Sequence, residues 1–84
     1  MTYHLLLRRW VRLVLSALPA KRRASERLLY DKLRPDFPEL RVDELRVAIE
    51  WNHGQGYIDY QRNGDEERDE WHLTANGRAK EGLE

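Results

Sequence analysis

Residue types that carry catalysis or bind metals occur in this chain, but their spacing does not assemble a site. The histidines are scattered and lack a metal-ligand pair such as two histidines four residues apart on a helix; they are His4, His53 and His72. No histidine stands as a nucleophile–base partner beside the hydroxyl residues, which are Ser16, Ser25 and Thr74. The segment Gly54-Gln55-Gly56 follows no predicted strand and indicates a helix stop rather than a phosphate loop. We therefore predict no enzyme activity, no cofactor and no metal site.

An acidic run occupies residues 65–70, where five carboxylates accompany one arginine. It lacks the regular loop of oxygen ligands that calcium requires. Its carboxylates, Glu66 and Glu67 among them, could imitate DNA phosphates and bind a basic protein surface. They could equally form a solvated hairpin whose charges prevent edge-to-edge strand pairing, and base rates favour this second interpretation.

Basic side chains at three places are candidates for DNA contact. The run Lys21-Arg22-Arg23 precedes a predicted helix and could clamp a phosphate or form a solvated linker, and both interpretations stay open. Arg41 could contact the DNA backbone and Arg46 a guanine edge, while Arg62 stands at the base of a predicted hairpin. For Arg46, an ion pair with Glu50 four residues on is the simpler interpretation.

The composition describes one globular domain spanning residues 1–84, without cysteine and with zero formal net charge. Charge is divided unevenly along the chain. Residues 1–42 hold ten Lys/Arg and four Asp/Glu, whereas residues 43–84 hold five Lys/Arg and eleven Asp/Glu. This division is typical of separate basic and acidic surfaces rather than of a globally basic nucleic-acid binder.

The apolar segments near the start are too short and too interrupted to span a membrane. Three arginines, at positions 8, 9 and 12, break them, and no stretch approaches the roughly 20 apolar residues that a span needs. We expect a core helix with a charged outer face, no membrane partner, and a cytoplasmic protein, since the absence of cysteine fits a reducing compartment.

Helical periodicity predicts three helices. Within residues 3–18 the main apolar stripe consists of Leu6, Trp10, Leu13 and Ala17, widened by Leu7, Val11, Val14 and Leu18. A second helix covers about residues 26–34 and is capped by Ser25, and the following turn points Phe37 into the core. A third helix begins near Val42, with a predicted buried stripe of Val42, Leu45, Ala48 and Ile49.

A β-hairpin follows, because residues 57–62 alternate and Asn63-Gly64 is typical of a two-residue type I′ turn. That turn pairs Arg62 with Asp65 and Asp59 with Arg68. It also places Ile58, Tyr60, Trp71 and Leu73 on one face. Thr74 then caps a short final helix that runs to about Leu83 and is weakened by Gly77.

Two stretches resemble a known family. The run Glu44-Leu45-Arg46-Val47-Ala48-Ile49 with Gly56-Tyr57-Ile58 resembles the third helix and first wing strand of bacterial winged-helix regulators. The run from Trp71 to Arg78 resembles the exit from their wing, which has a Leu-Thr-x-x-Gly-Arg pattern. The size is similar to that of small phage proteins. The resemblance implies an α+β, mostly α, winged helix with three helices, a two-stranded wing and a short C-terminal helix.

The resemblance also implies a DNA-binding transcriptional regulator, and our leading hypothesis places DNA against the basic residues named above. The chain departs from the family where the third helix and the wing carry acids, which weaken DNA binding at every sequence. Asn52 stands where the family has a core leucine. The alternative is a winged-helix module for protein contact without DNA, which uses the acidic wing and an outward pair of Val47 and Trp51. A homodimer is compatible with either.

Overall fold

A computed structural model describes residues 3–18, 23–63 and 68–82, which form four helices and one antiparallel sheet. The elements in chain order are α1 (Tyr3–Ala17), β1 (Ala24–Ser25), α2 (Glu26–Leu33), α3 (Val42–Gly54), β2 (Ile58–Asn63), β3 (Arg68–Leu73) and α4 (Ala75–Lys80). The sheet has the strand order β1-β3-β2. The α+β class is confirmed, and this arrangement is compatible with a winged helix.

Helix α1 supplies the centre of the core through Leu7, Val11 and Leu15, which are four residues apart and at most 5% exposed. Leu7 and Val11 belong to the predicted stripe, which is confirmed in most of its members, because the other apolar residues that pack half-buried against the core are Leu6, Trp10, Val14 and Leu18. The prediction is wrong for Ala17, which is exposed, and it lacks Leu15. Arg12 was expected outside the stripe, but it is only 5% exposed.

The second helix begins and ends as the sequence predicts. The Oγ of Ser25 accepts a hydrogen bond of 3.2 Å from the backbone N–H of Leu28, which satisfies one of the free donors at the helix start. After the helix, the N–H of Phe37 donates to the carbonyl of Leu33 at 2.9 Å. Phe37 is 5% exposed, so the predicted return of its ring into the core is confirmed.

Helix α3 packs on the core through Leu45, Ala48 and Ile49, as predicted, together with Asn52. The prediction for Val42 is wrong, because this first residue of the helix is 43% exposed. The chain leaves the helix through Gly56, whose φ of 77° favours glycine. The N–H of Tyr57 then donates to the carbonyl of Asn52 at 3.0 Å.

The predicted hairpin exists, but its register and its two-residue turn are wrong. Asn63 pairs with Arg68, so four residues, 64–67, connect the strands. Arg62 lies opposite Asp69 and Asp59 lies opposite His72, instead of the predicted partners. Tyr60 faces Trp71, which puts two large aromatic side chains directly opposite each other. The shift is an even number of residues, so the four predicted face residues still share a face.

Strand β1 is a third strand that the sequence did not predict. Its two residues were assigned to a basic connector and to a helix cap, since two residues show no alternation. Ala24 is fully buried opposite Trp71, and Ser25 lies opposite Glu70. The strand fixes the start of α2 against the sheet.

Helix α4 is shorter than predicted and ends at Lys80. Its cap is confirmed, since the Oγ1 of Thr74 accepts from the N–H of Gly77 at 3.0 Å and donates to the carbonyl of Gly56 at 2.6 Å. Gly77 has a packing role, because a Cβ there would overlap the carbonyl oxygen of Tyr57 and the side chain of Leu73. The absence of a side chain therefore allows α4 to lie against the hairpin.

Candidate functional site

The outward face of α3 is acidic and apolar. Asp43, Val47 and Glu50 follow the spacing of four and three residues that places side chains on one side of a helix, opposite the buried Leu45 and its neighbours. All three are exposed, Val47 at 56%. We call these three residues the α3 face. These three residues include two carboxylates, and the exposed Arg46 lies beside them at the same spacing, three residues after Asp43 and four before Glu50.

The arginine nearest to the α3 face is already engaged. The Nε of Arg46 donates to the Oε1 of Glu26 at 2.7 Å and its Nη2 donates to Oε2 at 3.3 Å, a two-pronged pair between α3 and α2. The hydrogen bond to Glu26 raises the pKa of Arg46, and Asp43 and Glu50 add smaller contributions from a distance. The expected pair with Glu50 is therefore wrong. Sequence spacing cannot reveal a partner that lies 20 positions away.

A cavity of about 430 Å³ lies between the start of α2, helix α3 and strand β3. Ile49 and Trp71 form its apolar side, and polar and charged residues line the rest: Ser25, Glu26, Arg27, Arg46 and Glu50. The lining thus holds two acids and two bases, of which Glu26 and Arg46 are paired with each other. Its volume is within the range of small-molecule sites, but no buried polar group points into it as an anchor among the lining residues described.

Three rings meet at the end of α3 beside this cavity. The ring centroids of His53, Tyr60 and Trp71 lie 5.3–5.4 Å apart in each pairing. Nε2 of His53 is 3.6 Å from the Oδ1 of Asp59. Tyr60 is 46% exposed, so part of this cluster reaches the surface. The packing explains why Tyr60 and Trp71 set the register of the hairpin.

A second, smaller groove of about 220 Å³ separates α1 from α3. Its lining combines a basic wall on α1 with an acidic and apolar wall on α3: His4, Leu7, Arg8, Glu44, Val47 and Ala48. Beside it, the guanidinium of Arg8 lies 4.4 Å above the ring of Trp51. The predicted outward pair is therefore only half right, since Val47 is exposed but Trp51 is partly covered.

The sequence missed a polar network inside the core. Arg12 donates from Nη1 to the Oδ1 of Asn52 at 2.8 Å and from Nε to the Oε1 of Glu81 at 2.6 Å. The side chains of Arg12 and Glu81 are each 6% exposed, and Asn52 is fully buried. Asn52 completes its bonding by donating from Nδ2 to the carbonyls of Arg8 at 3.1 Å and Ala48 at 2.9 Å. The one feature of the sequence that pointed to this network is Asn52, which stands where the winged-helix pattern has a core leucine.

Only some of the basic residues that are candidates for DNA contact lie in the described part of the chain. Arg41 is exposed, with its Nε 3.4 Å from the Oδ1 of Asp43. Arg23 is exposed and no described residue pairs with it. The backbone of Arg62 lies in β2, while its side chain and four further candidates lie outside the part of the chain that is described: Lys21, Arg22, Glu66 and Glu67.

No cluster of three or more metal-ligating side chains occurs in the ranges given above. Among the helices described there, none has the length and apolar character needed to cross a membrane.

Comparison with known proteins gives no relative from which a role could be inferred. No model of a known family matches the chain, and neither a curated protein nor a solved structure matches it.

Proposed function

We propose that this chain is a winged-helix domain that contacts another protein through the α3 face. The element order and the sheet order β1-β3-β2 support the winged helix. In that architecture the third helix is the element offered to a partner. The chemistry of this helix therefore decides what kind of partner it takes.

The observation that carries the proposal is the composition of the α3 face. Asp43 and Glu50 would meet the phosphates of DNA at the point of closest approach, and each carboxylate would weaken binding at any sequence. Arg46 would have to leave both oxygens of Glu26 before it could reach a base edge. A DNA-reading helix needs the opposite arrangement, with free basic or amide groups outermost.

A protein surface fits the same helix better. Val47 offers an exposed apolar contact, and the carboxylates on either side of it favour a partner whose rim is basic. Two of the three rings at the end of α3, Tyr60 and Trp71, belong to the residue types that dominate binding energy at protein interfaces. Both features suit a protein contact.

A titration with mixed-sequence DNA fragments at low and moderate salt tests the proposal. We expect that Arg46→Ala leaves any binding unchanged, as does Lys32→Ala, a control at an exposed position of α2. Non-specific affinity is greatest at low salt, so a DNA-reading helix would be detected there first. Salt-sensitive binding that disappears in Arg46→Ala but not in Lys32→Ala would overturn the proposal.

A second candidate function is DNA binding by another surface, as part of a transcriptional regulator. Arg23 and Arg27 are exposed beside the start of α2, and neither has an ion-pair partner among the described residues. In sequence, Lys21 and Arg22 extend this basic segment. The same titration separates the candidates. Binding lost in the double variant Arg22→Ala with Arg23→Ala, and kept in Arg46→Ala, would favour this second function.

A further inference from the structure

Basic and aromatic side chains from α1, α3 and α4 meet on one surface of the molecule. The guanidinium of Arg8 lies 4.4 Å from the ring centroid of Trp51. The rings of Trp51 and Tyr57 pack with their centroids 5.9 Å apart, and the ammonium of Lys80 is 6.0 Å from the centroid of Tyr57. We call these four residues the basic-aromatic surface, since each of them contacts the next.

Positive charge exceeds negative charge on this surface. Among the described residues, no carboxylate forms an ion pair with Arg8 or Lys80. Beside them, Arg9 and Arg12 share a single carboxylate, that of Glu81, at 3.4 Å and 2.6 Å. The side chain of Glu81 is 6% exposed and that of Arg9 is 53% exposed, so the cation is accessible and its acid is not.

Glu44 is an acid that borders this surface, because it lines the groove between α1 and α3 together with Arg8. Its Oε1 accepts the backbone N–H of Arg41 at 3.0 Å, and within the described ranges it forms no ion pair with Arg8. Glu44 therefore offsets part of the charge of Arg8 from a distance, while three accessible cations still meet an approaching anion.

The residue types of the surface favour a protein as the anionic partner. Tryptophan, tyrosine and arginine carry most of the binding energy at protein interfaces. A stacking platform for nucleic-acid bases needs open ring faces, but Arg8 lies over Trp51, and Tyr57 has both Arg12 and Lys80 against it. Three accessible cations are also few beside the roughly six to ten phosphate contacts of a strongly salt-dependent DNA binder.

We propose that the basic-aromatic surface binds an acidic segment of a partner protein, in which carboxylates flank an apolar side chain. The carboxylates pair with Arg8, Arg9 and Lys80, and the apolar side chain packs against the accessible parts of the two rings. A guanidinium that already lies on a ring loses less freedom when it binds a carboxylate. This surface excludes the α3 face and takes a partner of opposite charge, so the inference goes beyond the proposed function.

Fluorescence anisotropy with two labelled peptides tests this inference. The probe is a short peptide rich in glutamate that contains leucine and phenylalanine, and the control peptide has glutamine in place of every glutamate. We expect the acidic peptide to bind and to be weakened by salt, because its contacts are made by accessible charges. The glutamine peptide is expected to bind at least about tenfold more weakly.

Substitutions in the protein locate the binding. Arg8→Ala and Lys80→Ala are each expected to weaken binding of the acidic peptide about threefold or more. Lys32→Ala removes the same charge from an exposed position of α2 and is expected to bind like wild type. Trp51→Leu leaves the charge unchanged and is expected to weaken binding through the lost ring. Because Trp51 is partly buried, circular dichroism must show an intact fold for this variant.

Three results would overturn the inference. They are the absence of peptide binding at low salt, equal binding of the two peptides, and an equal loss in Lys32→Ala and Lys80→Ala. Mixed-sequence DNA that binds more tightly than the acidic peptide, and is lost in Lys80→Ala, would assign the surface to nucleic acid instead. None of these results involves the α3 face, so the proposed function is tested separately by Arg46→Ala.

Discussion

Asn52 is a polar residue that is fully buried in the core. Its Oδ1 accepts from the guanidinium of Arg12 and its Nδ2 donates to two backbone carbonyls. A buried guanidinium without partners costs far more than an apolar side chain in the same place. The amide is therefore required because Arg12 is present.

Replacing Asn52 with leucine is expected to destabilise the protein. Leucine fills the space but leaves Arg12 without one acceptor, at a cost of about 1–3 kcal/mol in the free energy of unfolding. Chemical denaturation measures this, with Glu50→Gln on the exposed side of α3 as the control, expected within about 0.5 kcal/mol of wild type. A cycle with Arg12→Met should show that the two changes are not additive. A leucine variant as stable as wild type would contradict the role of the network.

Two glycines in helices should respond to alanine in opposite directions. At Gly77 the added methyl overlaps the carbonyl of Tyr57, and we expect a loss of about 1–3 kcal/mol in unfolding free energy. At Gly54 no atom lies within 4 Å of the added methyl, so helix propensity should stabilise the protein by up to about 1 kcal/mol. Thermal unfolding of both variants measures the contrast. Equal effects would mean that α4 does not pack as described.

The features predicted correctly at this scale are local ones. Ser25 and Thr74 cap helices because their hydroxyls reach donors three residues on, and sequence spacing contains that information. The burial of Arg12 depends on Glu81, which is 69 positions away. Helical periodicity contains no information about a pair so far apart in sequence, and it therefore predicts Arg12 on the surface.

At the scale of elements, α4 is held to the core by one buried ion pair. Its six residues bury little besides Gly77, and an isolated helix of this length is unstable in water. Glu81, directly after the helix, reaches Arg12 at 2.6 Å and Arg9 at 3.4 Å. The carboxylate therefore acts as the anchor of the helix.

Glu81→Ala is expected to release α4 while the rest of the fold persists. Backbone amides of α4 should then exchange with solvent about tenfold faster or more, while those of α3 change less. Hydrogen exchange followed by NMR provides the measurement. The control is Arg78→Ala, an exposed position on the same helix. Faster exchange of the same size in both variants would show that Glu81 is no anchor.

The register of the hairpin differs from the one that its turn motif predicts. Asn63-Gly64 predicts a two-residue turn. Instead, the edge-on and tilted packing of Tyr60, Trp71 and His53 determines which residues of β2 and β3 pair. Tertiary packing of three rings outweighs a local turn preference. The face of each strand was predictable because alternation survives an even shift, while the register was not.

At the scale of the whole molecule, the division of charge was visible in sequence but its placement was not. The sequence indicated basic and acidic halves, and the structure shows which acids stand outermost on α3. It also shows that Glu26 occupies the arginine on which a DNA contact at this helix depends. This helix face is the reason why we propose a protein contact at α3 rather than the DNA contact of the leading sequence hypothesis.

Crosslinking from position 47 tests the central claim most directly. The chain has no cysteine, so Val47→Cys creates a unique site for a photo-crosslinker, and Ala79→Cys on the exposed side of α4 is the matched control. The experiment is performed in the source cells, and the adducts are identified by mass. We expect position 47, and not position 79, to yield adducts with protein. Adducts with DNA from position 47 would contradict the account.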